Sequence, residues 1–140
     1  MASFSGKVYG GTLAHRINPP NGTNQGSIPD NYSLAVYTLA ANDPYYSSYR
    51  NEWFTTTYNG KNGYVMAKWI AITAGGATGT ITTATDPLNI RESPSSSAAV
   101  IYTTAKGSVV RVLDTTAQSG FYRVSCSKGT GWGSNSVYFR

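Results

Sequence analysis

Side chains able to do covalent or metal chemistry are scarce in this 140-residue chain, which holds one cysteine, one histidine, two methionines and six carboxylates. A thiolate nucleophile needs a base beside it. Cys126 would have to find His15, and the two stand in opposite halves of the sequence. Cys126 closes the segment Tyr122-Arg123-Val124-Ser125, where a free thiol reads as a semi-buried strand residue. A carboxylate pair could cleave a glycoside, but Asp30, Asp43, Glu52, Asp86, Glu92 and Asp114 all fall in turn or linker positions without a framing motif. A lone cysteine cannot form an internal disulfide, and a single histidine leaves little for a metal cage. The expectation is no catalytic residue, no metal and no cofactor.

Chemistry of recognition is denser. Asp43-Pro44-Tyr45-Tyr46-Ser47-Ser48-Tyr49-Arg50-Asn51-Glu52-Trp53 packs three tyrosines and a tryptophan into nine residues. Tyr, Ser, Asn and Arg together combine rigid amphipathic area with adaptable hydrogen bonding. The ring offers a flat face to sugar C–H groups or a peptide stem, while the hydroxyl reaches water or a polar group. Tyr45, Tyr46, Tyr49, Arg50, Trp53 and Tyr58 are therefore the expected ligand contacts of the first half. The competing reading is that these aromatics pack a long loop against its own core, Trp53 most of all. In the second half the comparable surface would come from Tyr102, Phe121, Tyr122 and Trp132. It lacks the inserted loop, so a shallower groove is expected.

The elements that must hold these residues are strands. Residues 31–43, 45–59 and 108–119 lack glycine and proline, yet none carries apolar residues at helical spacing. They are rich in Thr, Tyr, Val and Ser, which suit a pleated surface. Short alternations at Leu34–Val36, Ile81–Thr83, Val109–Val112 and Tyr122–Val124 are punctuated by turns such as Gly10-Gly11, Pro29-Asp30-Asn31 and Asn59-Gly60. With 12% charged and 40% hydrophobic residues the chain is too apolar for disorder. No apolar run approaches the roughly 20 residues that cross a bilayer, and the opening MASFSGKVYGG lacks a signal-peptide pattern.

The pattern occurs twice. Leu13-Ala14-His15-Arg16 before Pro19 returns as Leu88-Asn89-Ile90-Arg91 before Pro94, an offset of 75. Trp53-Phe54-Thr55 with Gly63-Tyr64-Val65 returns as Phe121-Tyr122-Arg123 with Gly131-Trp132-Gly133, an offset of 68. The shorter offset reflects about eight extra residues between Val36 and Trp53, within Ala40–Asn51. Thr73-Ala74-Gly75-Gly76-Ala77-Thr78-Gly79 reads as a flexible linker. Two all-β domains are expected, 1–73 and 77–140, each a small barrel of five or six short strands. Arg16 and Arg91, repeated in register, are expected to brace the adjacent loop.

The ordered set LNIR, ESPSSSAAVI, KGSVVRVL, GFYRV and KGTGW resembles the bacterial SH3-like (SH3b) domain across 79–140. GKVYGG, LAHR, IPDNYSLAVY, WFTTTYNGKNGYV and AKWI carry the same resemblance across 6–72. His15 stands where that family shows an apolar residue, which favours a packed histidine. Phe121 replaces a usual Trp, and Gly133 a usual Val. The resemblance implies two SH3-like β-barrels in tandem and a role in targeting. Such tandems form the cell-wall-binding part of phage endolysins and bacterial autolysins. The chain then reads as a wall-binding region alone, monomeric, acting outside the cell or at the wall. If phage-derived, it would be made in the host cytoplasm and delivered to the wall at lysis. The implied ligand is a peptidoglycan stem peptide, an interpeptide bridge, a glycan chain or an associated polymer. A protein-interaction module without wall affinity is the alternative.

Net charge is +5, with +2 in residues 1–74 and +3 in 75–140. Attraction to an anionic wall would follow, screened by salt. The basic residues are scattered singly and no RNA-recognition signature is present, so a nucleic-acid partner is not expected, nor a membrane one. The acidic loop and Ala-Leu-Tyr-Asp-Tyr-like segment of proline-peptide receptors are also missing.

Overall fold

Short runs of β-branched and aromatic residues, cut by glycine and asparagine turns, leave the chain little choice but antiparallel pairing. The computed structural model describes residues 3–75, 79–82, 88–105, 107–114 and 118–134. The first unit contains β1 (Ser3–Val8), β2 (Leu13–Arg16), β3 (Asn24–Ile28), β4 (Ser33–Tyr37), β5 (Trp53–Tyr58), β6 (Lys61–Met66) and β7 (Ile70–Ala74). The second contains β8 (Gly79–Thr82), β9 (Leu88–Arg91), β10 (Val100–Thr104), β11 (Val109–Val112), β12 (Phe121–Cys126) and β13 (Gly129–Ser134). Their sheets run β3-β2-β6-β5-β4-β1-β7 and β10-β9-β13-β12-β11-β8. The same six-strand order thus occurs twice, with β7 added to the first sheet. The fold is all-β, in two small SH3-like units. The linker expected at 73–79 lies partly outside the described residues.

The pairing registers repeat as closely as the order. β5 and β6 pair from Trp53↔Met66 to Tyr58↔Lys61, and β12 and β13 from Phe121↔Ser134 to Cys126↔Gly129. Every residue of the first hairpin therefore has its counterpart 68 positions on. Asn59 and Gly60 make the first turn with φ of 52° and 75°, the positive pair that a two-residue hairpin turn requires. Gly63 and Gly131 are needed for a different reason. A Cβ on either would stand 2.7 Å from the Arg16 carbonyl or 2.6 Å from the Arg91 carbonyl, closer than any side chain tolerates. Arg16 and Arg91 in turn donate through Nη1 to Gly22 O and Ala98 O, each at 2.9 Å. Both arginines brace the loop that follows their strand.

Alternate residues of each strand face a small core. In the first unit this gathers Phe4, Val8, Leu13, Ile28, Val36, Phe54, Val65 and Ile70, and in the second Leu88, Ile90, Val110, Val112 and Val124. Full burial of each such side chain contributes roughly 1.5–3 kcal/mol. His15 is fully buried with them, its Nε2 3.2 Å from the Thr56 carbonyl. Leu113 belongs to the second unit by sequence but is buried in the first core. Among the described residues the α-helical element is a single turn, α1 (Tyr46–Tyr49), inside the inserted loop; a 3-10 turn, Ala67–Trp69, precedes β7. A helical turn was not expected in that loop. It forms where Tyr49 N and Arg50 N bond back to Tyr45 O and Tyr46 O, and none of its residues is buried.

Candidate ligand-binding site

Period-two alternation sends Phe54 and Thr56 of β5 inward and Thr55 and Thr57 outward. Their register partners on β6 are Tyr64 and Asn62. With Tyr37 of β4 these residues line an open groove of about 450 Å³ on the outer face of the first unit. The groove is polar without being charged: Thr57 Oγ1 donates to Asn62 Oδ1 at 2.6 Å, and Tyr64 supplies a ring and a hydroxyl.

The inserted loop meets the groove at Tyr64. Asp43 bridges loop and groove, its Oδ2 accepting from Tyr64 OH at 2.7 Å and its Oδ1 from Tyr45 N at 2.8 Å. The Tyr45 ring stands edge-on to Tyr64 at 5.5 Å, and Tyr49 lies 6.4 Å beyond Tyr45. The Arg50 guanidinium lies 5.1 Å from the Tyr46 ring centre, within cation–π range. Burial first, and then the Asp43 hydrogen bond and charge, push the Tyr64 phenol above the ordinary tyrosine value. Tyr64 therefore stays a donor throughout the neutral range. Aromatic rings beside hydroxyls and an amide can stack on flat apolar surface and hydrogen-bond neutral polar groups.

The structure brings together Tyr45, Tyr46, Tyr49 and Arg50 of the expected contacts, and parts the others from them. Trp53 is 2% exposed and belongs to the interior. Tyr58 packs on the first core, edge-on to His15 and to Tyr32, because its parity on β5 is that of Phe54. Tyr102 and Tyr122 pack on the second core, and Tyr102 donates to Gly129 O at 3.1 Å. Phe121 is half-buried at the start of β12. Trp132 is 5% exposed. The second unit thus has no aromatic groove built from these four: neighbours on a strand face opposite ways, so Tyr122 cannot share a surface with Trp132. Asp43, Tyr64, Asn62 and the two threonines were not singled out from sequence. The Gly-aromatic repeat Gly63-Tyr64 and Gly131-Trp132 was the available signal.

The outer face of the β12–β13 hairpin is where the two units meet. Arg123, Ser125, Thr130 and Trp132 occupy the positions of Thr55, Thr57, Asn62 and Tyr64. All four are buried. Thr130 donates to Ile70 O at 2.6 Å, and Ser125 Oγ accepts from Ile72 N at 2.9 Å. Trp132 Nε1 donates to Asn51 O at 2.8 Å, and Arg123 Nη1 to Arg50 O at 3.2 Å. The Arg123 guanidinium lies 4.4 Å from the Phe54 ring centre and 5.5 Å from that of Trp132. Burial lowers its pKa to about 10, against the opposing charge of Asp114, so it remains cationic at neutral pH. Outside this hairpin, Ser93 donates to Glu52 Oε2 at 2.6 Å and Lys68 pairs with Glu92. The first unit covers this hairpin face, and with it Trp132, while Tyr102 lines an open pocket of about 470 Å³ elsewhere on the second unit, with Thr104, Val109, Cys126 and Lys128. Cys126 is half-buried, its Sγ accepting from Lys128 N, and the one described ring contact of His15 is with Tyr58. Among the described residues no three His, Cys, Asp or Glu side chains gather to hold a metal ion.

Six antiparallel strands in one order, repeated, with the hairpin face open on one copy and covered on the other, define a pair of small SH3-like units. Residues 86–138, in the second unit, match the model of the bacterial SH3 domain. No curated protein matches the sequence. Among solved structures, NlpC1 from Trichomonas vaginalis is 14% identical with a TM-score of 0.42, over 100% of this chain and 46% of that one. NlpC2 from Trichomonas vaginalis is 17% identical with a TM-score of 0.42, over 99% of this chain and 48% of that one. The chain spans about half the length of both.

Proposed function

We propose that the chain is a non-catalytic cell-wall-binding region, of the kind that holds a phage endolysin or bacterial autolysin on peptidoglycan, acting outside the cell as a monomer. Its ligand lies in the groove of the first unit, against Tyr64, Tyr37 and the Tyr45–Tyr49 loop. The bacterial SH3 match in the second unit supports a wall-associated binding role in general. The observation that carries the specific reading is the pair of equivalent hairpin faces, one open at Tyr64 and one filled at Trp132. What fills the second is main chain: the carbonyls of Arg50, Asn51 and Ile70 and the amide of Ile72. A face of this shape that takes peptide groups on one copy favours a peptide ligand on the other. Within the wall that means a stem peptide or an interpeptide bridge rather than a glycan or teichoic polymer.

Co-sedimentation with Gram-positive sacculi tests this, before and after acid removal of teichoic polymers, at low and high salt. Retention by stripped sacculi in high salt is the expected result, since stacking and neutral hydrogen bonds are little screened. Tyr45, Tyr46 and Tyr49 changed together to Ala should weaken retention at least about tenfold with circular dichroism unchanged. Intact binding by that folded variant would remove the loop from the site, and loss on stripping alone would move the ligand to the polymer. A second reading, a module for a protein partner, draws on the same filled face, which already docks on protein. Failure to bind sacculi from several species would favour it.

A further inference from the structure

Three consecutive residues at the end of the tyrosine-rich loop are held by the second unit. Arg50 O accepts from Arg123, Asn51 O from Trp132 Nε1, and Glu52 Oε2 from Ser93. The loop has little else to hold that end. A helix of one turn has a nucleation cost that its own hydrogen bonds do not recover, and no residue of α1 is buried. Its leading end is fixed within the first unit by Asp43, through Tyr45 N and Tyr64 OH. Its trailing end has one main-chain bond inside the first unit beyond the turn itself, Ala67 N to Glu52 O.

We infer that the second unit positions the tyrosine-rich loop of the first, with Arg123, Trp132 and Ser93 gripping residues 50–52 so that Tyr45 stands against Tyr64 at the groove and Tyr49 against Tyr45. The grip reaches the tyrosines through short links. Fixing the Arg50 main chain sets the guanidinium that lies on Tyr46 and donates to Ser47 O. Fixing Glu52 sets the amide that bonds to Tyr49 O. The burial of Arg123 fits this role. Held between Phe54 and Trp132, it spends a charged donor on a carbonyl of the loop, while its Nε and Nη2 have no hydrogen-bond partner among the described residues. The inference rests on the groove reading for its link to binding, while the grip itself is independent of any ligand.

The test uses the full chain. Trp132→Phe keeps a ring in the seam and removes the N–H, Ser93→Ala removes one hydroxyl, and Ser93→Thr restores it. Amide hydrogen exchange at Tyr46, Tyr49, Arg50 and Glu52 should accelerate about fivefold for each bond removed. Amides of β5–β6 and β12–β13 should hold their rates. Retention on stripped sacculi should fall by a similar factor, and Ser93→Thr should recover both. Unchanged loop exchange overturns the inference, as does faster loop exchange with undiminished retention. Acceleration spread evenly over both sheets would make the seam a general stabiliser and overturn it too. The Ser93 pair, which leaves Trp132 in place, decides the matter if Trp132→Phe disturbs the fold. If the wild-type chain does not bind sacculi, the wall reading falls, and the grip is judged by exchange alone.

Discussion

Tyr64 and Trp132 occupy the same place in two copies of one fold, each following a glycine pressed against an arginine carbonyl. Around Tyr64 the hairpin face is open and polar, and a loop that the second copy lacks meets it through Asp43 and Tyr45. Around Trp132 the face is closed over by that same loop and by β7. The difference teaches that duplicated barrels can part in role without changing fold. One copy keeps its face open, and the other gives it to its neighbour. The insertion meets both copies, packing on Tyr64 through Tyr45 and docking in the seam through Asn51.

The comparison breaks most visibly if the two aromatics are truncated. Trp132→Ala should cost about 3–5 kcal/mol in denaturant unfolding, as for a buried aromatic. Tyr64→Ala should cost about 1 kcal/mol and instead reduce sacculus retention at least about tenfold. Similar stability losses at both positions would mean that the open face is also structural. Gly63→Ala and Gly131→Ala should behave alike, each losing about 1–3 kcal/mol, because both Cβ atoms would meet a strand carbonyl. Unequal losses, read by thermal melts, would show that the repeat is less regular than its registers. Thr130→Val strands the Ile70 carbonyl and should cost about 1–3 kcal/mol. Asn62→Ala at the equivalent open position should stay within about 0.5 kcal/mol of wild type.

The smallest effect is in the alkaline range. Tyr64 has a raised pKa in the folded chain, from burial and Asp43. Its contribution to stability is therefore complete below the unfolded tyrosine value of about 10. It fades as pH rises through the higher folded value. Asp43→Asn should bring the Tyr64 titration, followed by ring NMR shifts, down toward the ordinary value. It should also narrow the stability difference from Tyr64→Phe across that range. An unmoved titration would show that burial alone raises it.

Much of this was legible in the residues. The paired Leu-x-x-Arg segments and the hairpin signals foretold two barrels, and Arg16 and Arg91 do brace their loops. The tyrosines of the insertion were conspicuous because nothing in a small barrel needs so many aromatics in one loop. Tyr58 and Tyr122 pack on the cores, and Tyr102 both packs on one and lines an open pocket; in the sequence an aromatic reads alike whether it lines a groove or packs a core. Only strand parity, fixed by pairing, distinguishes the two.

By itself the sequence determined the local conditions: alternation that forbids helices through most of the chain, glycines that admit turns and close strands, and the duplication. Tertiary structure decided which of two equivalent faces is free. Gly129-Thr130-Gly131-Trp132-Gly133 is buried throughout, yet its composition carries no mark of burial on both sides. The physical reason is that cover for an outer face comes from residues such as Asn51, Ile70 and Ile72, far away along the chain. Docking of that kind depends on how two finished surfaces match, which no local pattern of residues records.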